Sequence, residues 1–134
     1  MAGKGGATRF DAAVPVLLVS DIASTMRWYA THLGFSVQGI PESPPHTFGF
    51  LNKDDIQIFL QQLDGYRAAD LYDKRDGGVW SVYLRVKGVR ELFDVISRTP
   101  DVTILEPLCH QPYGQTEFVI RDPNGYAIVF AQHD

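Results

Sequence analysis

The sequence predicts an α+β fold made of two β-α-β-β-β modules, a curved mixed sheet with its helices on one face. Three observations carry that expectation. First, the chain repeats itself. Laying Leu17-Leu18-Val19-Ser20-Asp21-Ile22 over Leu84-Arg85-Val86-Lys87-Gly88-Val89 also puts Met26 on Phe93, Tyr29 on Ile96, Phe35 on Val102 and Val37 on Ile104. A slightly longer shift puts Phe48 and Phe50 on Phe118 and Ile120, and Ile56, Ile58 and Leu60 on Tyr126, Ile128 and Phe130. Repeats of this length mark duplicated supersecondary units, and the difference between the two shifts falls in the loops around 39–46 and 106–115. Second, the apolar spacing in each half runs strand-like, then helical, then strand-like again. Third, 134 residues at 45% hydrophobic and 21% charged suffice for one domain with its own core.

The elements follow in order. The start, MAGKGGATRF, lacks the apolar stretch of a signal peptide and is expected to fray. Val14 to Val19 reads as a strand, and Ser20 or Asp21 suits the N-cap of the next helix. Ile22, Met26, Tyr29 and Leu33 recur at helical spacing, and Gly34 suits the left-handed residue that ends the helix. Strands follow at Phe35–Gln38, Phe48–Leu51 and Ile56–Gln61. Leu63 to Gly78, with Gly65, Gly77 and Gly78, is expected to be a mobile loop. The second half repeats the pattern with a strand at Val79–Val86 and a helix over about Val89 to Arg98. Its strands then lie at Val102–Leu105, Glu117–Arg121 and Tyr126–Ala131. The expected limits are a first module at 10–62, a linking loop at 63–78 and a second module at 79–134, all in a single domain. In Asp122-Pro123-Asn124-Gly125, Pro123 presets the first corner of a bulged hairpin and Gly125 takes its left-handed position, leaving Asp122 to cap the turn.

Several partner classes are excluded on composition. The longest apolar run, Ala12 to Val19, is far too short to span a bilayer, so no membrane is expected. The net charge is -4 and the Lys and Arg residues form no basic stripe, which argues against nucleic acid. The lone Cys109 has no partner for an internal disulfide, so a reducing cytoplasm is the expected setting.

Alternation gives every strand two faces. Ile56, Ile58 and Leu60, with Tyr126, Ile128 and Phe130, form a greasy row for the helices to cover. The opposite row holds Gln57, Phe59 and Gln61 in one half and Ala127, Val129 and Ala131 in the other. Val14, Val16 and Leu18 share that face on the opening strand, as do Ser81 and Tyr83 on its mate, with Arg85 at the rim. Glu117 falls on it too. This mixture of small, polar and aromatic residues suits a concave ligand site better than solvent, with a second core or a dimer contact as the alternative.

From VPVLLVSDIASTMRWYATHLGFSV to EPLCHQPYGQTEFVIRDPNGYAIVFAQ, the chain resembles the vicinal oxygen chelate superfamily of glyoxalases, extradiol dioxygenases and bleomycin-resistance proteins. VSDI followed by RWYATHLGF, and EFVIRDPNGY, carry the resemblance most specifically. It implies paired modules, each forming half of a cup with the helices outside, and usually a homodimer. In metal-dependent members, His or Glu side chains on inner-facing strands hold one divalent ion as a Lewis acid. The positions this resemblance carries over are Val14, Phe59, Ser81 and Val129, and none offers an imidazole or carboxylate. His32, His46, His110 and His133 lack ligand spacing and fall near a helix end, in loops or at the tail. No metal or other cofactor is therefore expected.

The resemblance then points to the metal-free, bleomycin-resistance-like branch, whose members sequester a small molecule. The expected ligand-binding residues are Gln57, Phe59, Ser81, Tyr83, Tyr113, Glu117 and Val129, with no catalytic residue assigned. Phe59, Tyr83 and Tyr113 offer stacking surfaces. Gln57 offers hydrogen bonds to amides, and Glu117 favours a positive group. An enzyme with an unconventional site, or a protein-interaction module, remains as an alternative at this point.

Overall fold

A computed structural model describes residues 7–134, so most of the start that is expected to fray lies outside the described residues. The first module runs β1 (Val16–Val19), α1 (Ile22–Leu33), β2 (Ser36–Ile40), β3 (Phe48–Lys53) and β4 (Ile56–Gln62). The second repeats it with β5 (Val82–Arg85), α2 (Val89–Ser97), β6 (Thr103–Gln111), β7 (Gln115–Arg121) and β8 (Ala127–His133). Between them, residues 63–81 carry a short 3-10 turn at Tyr72–Lys74. Each module folds its strands into one four-stranded sheet, ordered β1-β4-β3-β2 and β5-β8-β7-β6. The β1–β4 and β5–β8 pairs are parallel and the rest antiparallel.

Local chemistry sets the boundaries. Asp21 caps α1 by accepting the Ser24 N–H at 3.2 Å, and Gly34 ends the helix at φ 74°, where a Cβ would be strained. Each helix start is also held by the last strand of its own module. Gln62 Oε1 accepts the Ile22 N–H at 3.1 Å, and Gln132 Oε1 accepts those of Gly88 and Val89 at 2.9 and 3.0 Å. Two glutamines at equivalent places thus satisfy helix-end donors that would otherwise go unpaired. β6 runs longer than the sequence pattern suggests and takes in His110. It breaks register between Ile104 and Glu106 and again between Glu106 and Cys109, around Pro107, which has no N–H to give the ladder.

The helix-side faces of both sheets share one core. Leu17, Val19, Ile58 and Leu60 join Phe118, Ile120, Ile128 and Phe130 in a single cluster, together with Ile22, Met26 and Tyr29 of α1 and Val89 and Ile96 of α2. Phe118 is fully buried, stacked on Phe130 at 4.9 Å and edge-on to Phe93 at 5.1 Å. Burial of such a ring stabilises the fold by about 1.5–3 kcal/mol.

Polar contacts clamp the modules together at one end. Asp122 Oδ1 accepts the N–H groups of Asn124 and Tyr126 at 2.9 and 3.0 Å, as a turn cap should. Its Oδ2 accepts the Tyr29 hydroxyl of α1 at 2.6 Å, across 93 residues of chain. Nearby, the Tyr126 hydroxyl donates to the Leu18 carbonyl at 2.6 Å and Asn124 Nδ2 to Thr25 Oγ1 at 3.1 Å. Because the helix-side faces meet, the other face of each sheet is directed away from the common core. Among the described residues, no helix is long and apolar enough to cross a membrane.

Candidate functional site

The outward face of the second sheet gathers three of the residues singled out in the sequence. Gln111 and Gln115 bracket a tight turn closed by the Gly114 N–H on the Gln111 carbonyl at 3.0 Å, with Gly114 at φ 85°. That turn folds Tyr113 back along β7, where its hydroxyl donates to Glu117 Oε1 at 2.6 Å. Tyr83 reaches the same carboxylate from β5, donating to Oε2 at 2.5 Å. β8 lies between β5 and β7, so this bond bridges two strand spacings, about 9.6 Å. The β8 residue paired with Glu117 is Ala131, and its single methyl leaves room for the two side chains to meet.

Glu117 is only 3% exposed. Burial first, and then the bond to Glu117, push the Tyr83 hydroxyl up to about 12. Tyr113 is raised for the same reasons in the same order. Both phenols therefore stay protonated through the physiological range and act as donors to the carboxylate.

A cleft of about 460 Å³ opens over Glu117 and Val119. Residues 72–80 supply one wall with Tyr72, Arg75, Asp76 and Trp80, and β6 supplies another with Glu106 and Cys109. The Trp80 ring is 40% exposed and lies 5.3 Å from the ring of Tyr83, tilted by 40°. Asp76, Glu106 and Glu117 face a single base, Arg75, whose Nη1 donates to the Gly78 carbonyl at 3.1 Å. This combination of an aromatic wall, a negative lining and a buried acceptor can hold a flat, positively charged organic molecule.

The remaining expected residues lie elsewhere. Val129 is fully buried beneath the cleft in a small cluster with Val119 and Ala127, packed by Tyr72, Tyr83 and Leu105. Ser81 sits at the edge of β5, its hydroxyl accepting the Ala127 N–H at 3.1 Å. Phe59 belongs to the outward face of the first sheet. There it forms an edge-on triad with Phe48 and Phe50, with ring centroids 5.2–5.3 Å apart. Gln57 is on that face as well, donating to Asn52 Oδ1 at 2.7 Å. No first-module residue lines the cleft over Glu117. Trp80, Tyr72, Arg75, Asp76 and Glu106 were not foreseen as site residues. Tyr72, Arg75 and Asp76 lie in the aperiodic linking stretch, where alternation assigns no face, and Trp80 precedes β5, which starts at Val82 and not at the expected Val79.

The donor set does not fit a resident divalent cation. Phe59 and Val129 carry no ligand atom, Val14 is aliphatic, and the one oxygen at these positions, Ser81 Oγ, is engaged by backbone. Among the described residues, no group of three or more His, Cys, Asp or Glu stands together in a way that could hold a metal.

Comparison with known proteins adds three findings. The family model described as Glyoxalase/Bleomycin resistance protein/Dioxygenase superfamily matches residues 9–130. No curated protein sequence matches. Among solved structures, TioX from Micromonospora sp. ML1 is 19% identical at a TM-score of 0.72, over 93% of this chain and 100% of that one. The bleomycin-binding protein of bleomycin-producing Streptomyces verticillus, complexed with copper(II)-bleomycin, is 21% identical at 0.68 over 95% and 99%. A bleomycin resistance determinant encoded on the transposon Tn5 is 20% identical at 0.67 over 93% and 99%. At these identities the likeness is one of fold.

Proposed function

The chain belongs to the glyoxalase/bleomycin resistance protein/dioxygenase superfamily, and from that premise we propose that it is a metal-free small-molecule-binding protein that sequesters an aromatic, cationic ligand. A cationic antibiotic is one such molecule. The observation that carries the proposal is Glu117, a buried carboxylate at the floor of an aromatic cleft and bonded only by two phenols. Burying an acid beside open space is costly unless something compensates it. A bound cation would do so, and the negative cleft would speed its capture. The protein named as bleomycin-binding shares this fold, which makes sequestration a natural use of it. The exposed thiol of Cys109 on the cleft wall suits a reducing compartment such as the cytoplasm.

The test is titration with a panel of aromatic amines, amidines and neutral aromatics, read by Trp80 fluorescence with a Trp80→Phe control. A saturable change in fluorescence that the control loses is expected. Failure of every member at millimolar concentration would remove the proposal.

We further propose that two chains pair about a two-fold axis, each lending its first-sheet face to the other's cleft. The outward faces of one chain point away from their common core, so a closed cup needs a second copy. The first-sheet face leaves Val16 49% exposed beside the half-buried Phe59 triad, a patch that association would cover. Such a contact is self-complementary, each chain giving what it receives. Sedimentation at micromolar concentration should show a dimer, and Phe59→Glu should shift it to monomer. A wild-type chain that sediments only as monomer refutes the pairing.

A further inference from the structure

Resting on that binding role, the geometry points to a narrower ligand class: an organic cation with at least one N–H donor, admitted by displacing the Tyr113 hydroxyl from Glu117. Three observations converge. Glu117 takes part in none of the ion pairs among the described residues, which are Arg9–Asp11, His110–Asp134 and Arg121–Asp70. Both of its oxygens are instead held by neutral hydroxyls. The two phenols are held very differently. Tyr83 sits on β5, packed on Val119, Ala127 and Val129 and against the Trp80 ring. Tyr113 rides on the exposed turn after β6, is 53% exposed, and belongs to neither apolar cluster.

Tyr113 is therefore the exchangeable partner. Its hydroxyl occupies Oε1 in the free protein and keeps the carboxylate satisfied until a better donor arrives. An ammonium or amidinium N–H is such a donor, since a hydrogen bond with both partners charged is roughly twice as strong as a neutral one. It also brings the counter-charge that Glu117 lacks. A quaternary ammonium has the same charge and no N–H. Entering the cleft, it would leave Oε1 either on Tyr113 or without a partner, and an unpaired buried acceptor is costly. The site should thus discriminate by donor count, with the ring of the ligand lying against Trp80.

Calorimetric titration with benzylammonium and benzyltrimethylammonium tests this, because the two share ring and charge. Benzylammonium should bind at least about tenfold tighter, the worth of one hydrogen bond to a charged group. Tyr113→Phe removes the hydroxyl that must be displaced. It should tighten benzylammonium several-fold and leave the quaternary probe little changed, while the Tm of the free protein falls by a few degrees because Glu117 Oε1 loses its partner, a loss that benzylammonium restores. Equal affinity for the two probes overturns the inference, as does weaker benzylammonium binding by Tyr113→Phe, which would make Tyr113 a direct contact. No heat from either probe overturns it as well. Binding of any other aromatic cation of the wider panel would then leave the binding role standing without this inference.

Discussion

Asp122→Ala should destabilise the protein by about 3–5 kcal/mol, the range for breaking a buried, charged hydrogen-bond network. Asp122 is 3% exposed and ties the turn before β8 to α1 of the other module. Its removal strands the buried Tyr29 hydroxyl and frees two backbone N–H groups. At about 3–4 °C per kcal/mol for a chain of this size, the Tm should fall by about 10 °C or more. Tyr29→Phe deletes only the donor and should cost less, and the double variant should fall short of the sum because the groups share one bond. The pH dependence has a definite sign. Burial raises the Asp122 carboxyl above its ordinary value of 3.8, outweighing the hydrogen bonds from Tyr29, Tyr126 and Asn124 that favour the anion. The fold then holds this proton more tightly than the unfolded chain does. Its support is fullest below 3.8 and declines as pH rises through the raised value. The stability advantage of wild type over Asp122→Asn should narrow from acid towards neutral pH. A widening gap would contradict the assignment.

Val129→Glu is the other large effect. It restores a carboxylate where metal-dependent relatives are expected to carry one, yet Val129 is fully buried among Val119, Ala127 and Tyr83. An unpaired carboxylate there should cost about 4 kcal/mol or more. Glu117 is close by on β7, where it pairs with Ala131, two residues along β8 from position 129, so like-charge repulsion adds to the cost. The variant should fold poorly and gain no metal-dependent activity. Metal analysis of wild type should show less than one divalent ion per chain. A stable Val129→Glu protein that takes up one ion per chain would reverse the donor-set argument.

How much of this was legible varies with the distance over which each feature is decided. The α1 stripe of Ile22, Met26, Tyr29 and Leu33, its Asp21 cap and its Gly34 stop are local, and the pattern gave them closely. Alternation also put Tyr83, Glu117 and Val129 on one face of the second sheet. It did not say that Tyr113 would fold back onto Glu117, because that depends on a turn whose register is set by breaks in β6. Nor did it give the side on which the modules meet. Phe59 and Val129 are mates in the repeat, but each face's neighbour is chosen by packing between modules. The Tyr29–Asp122 bond spans 93 residues and leaves no periodic trace. The paired Gln62 and Gln132 caps were within reach of the repeat, since the shift that superposes Leu60 on Phe130 superposes them too.

The strand order carries a consequence for synthesis. β4 and β8 are the last strands made in their modules, yet each lies inside its sheet, between β1 and β3 or between β5 and β7. A nascent chain cannot close either sheet by adding hairpins one after another. β1 must wait for β4 and β5 for β8, with the parallel pairing that makes slow, non-local folding nuclei. Until β8 has emerged, Leu17, Leu60 and Tyr29 lack the second module's share of the common core, and β5 has no strand to pair with and exposes an open edge. Ribosomes stalled with β8 still inside the tunnel should therefore carry chains that recruit holdase chaperones, and chains long enough for Ala127–His133 to emerge should lose that dependence.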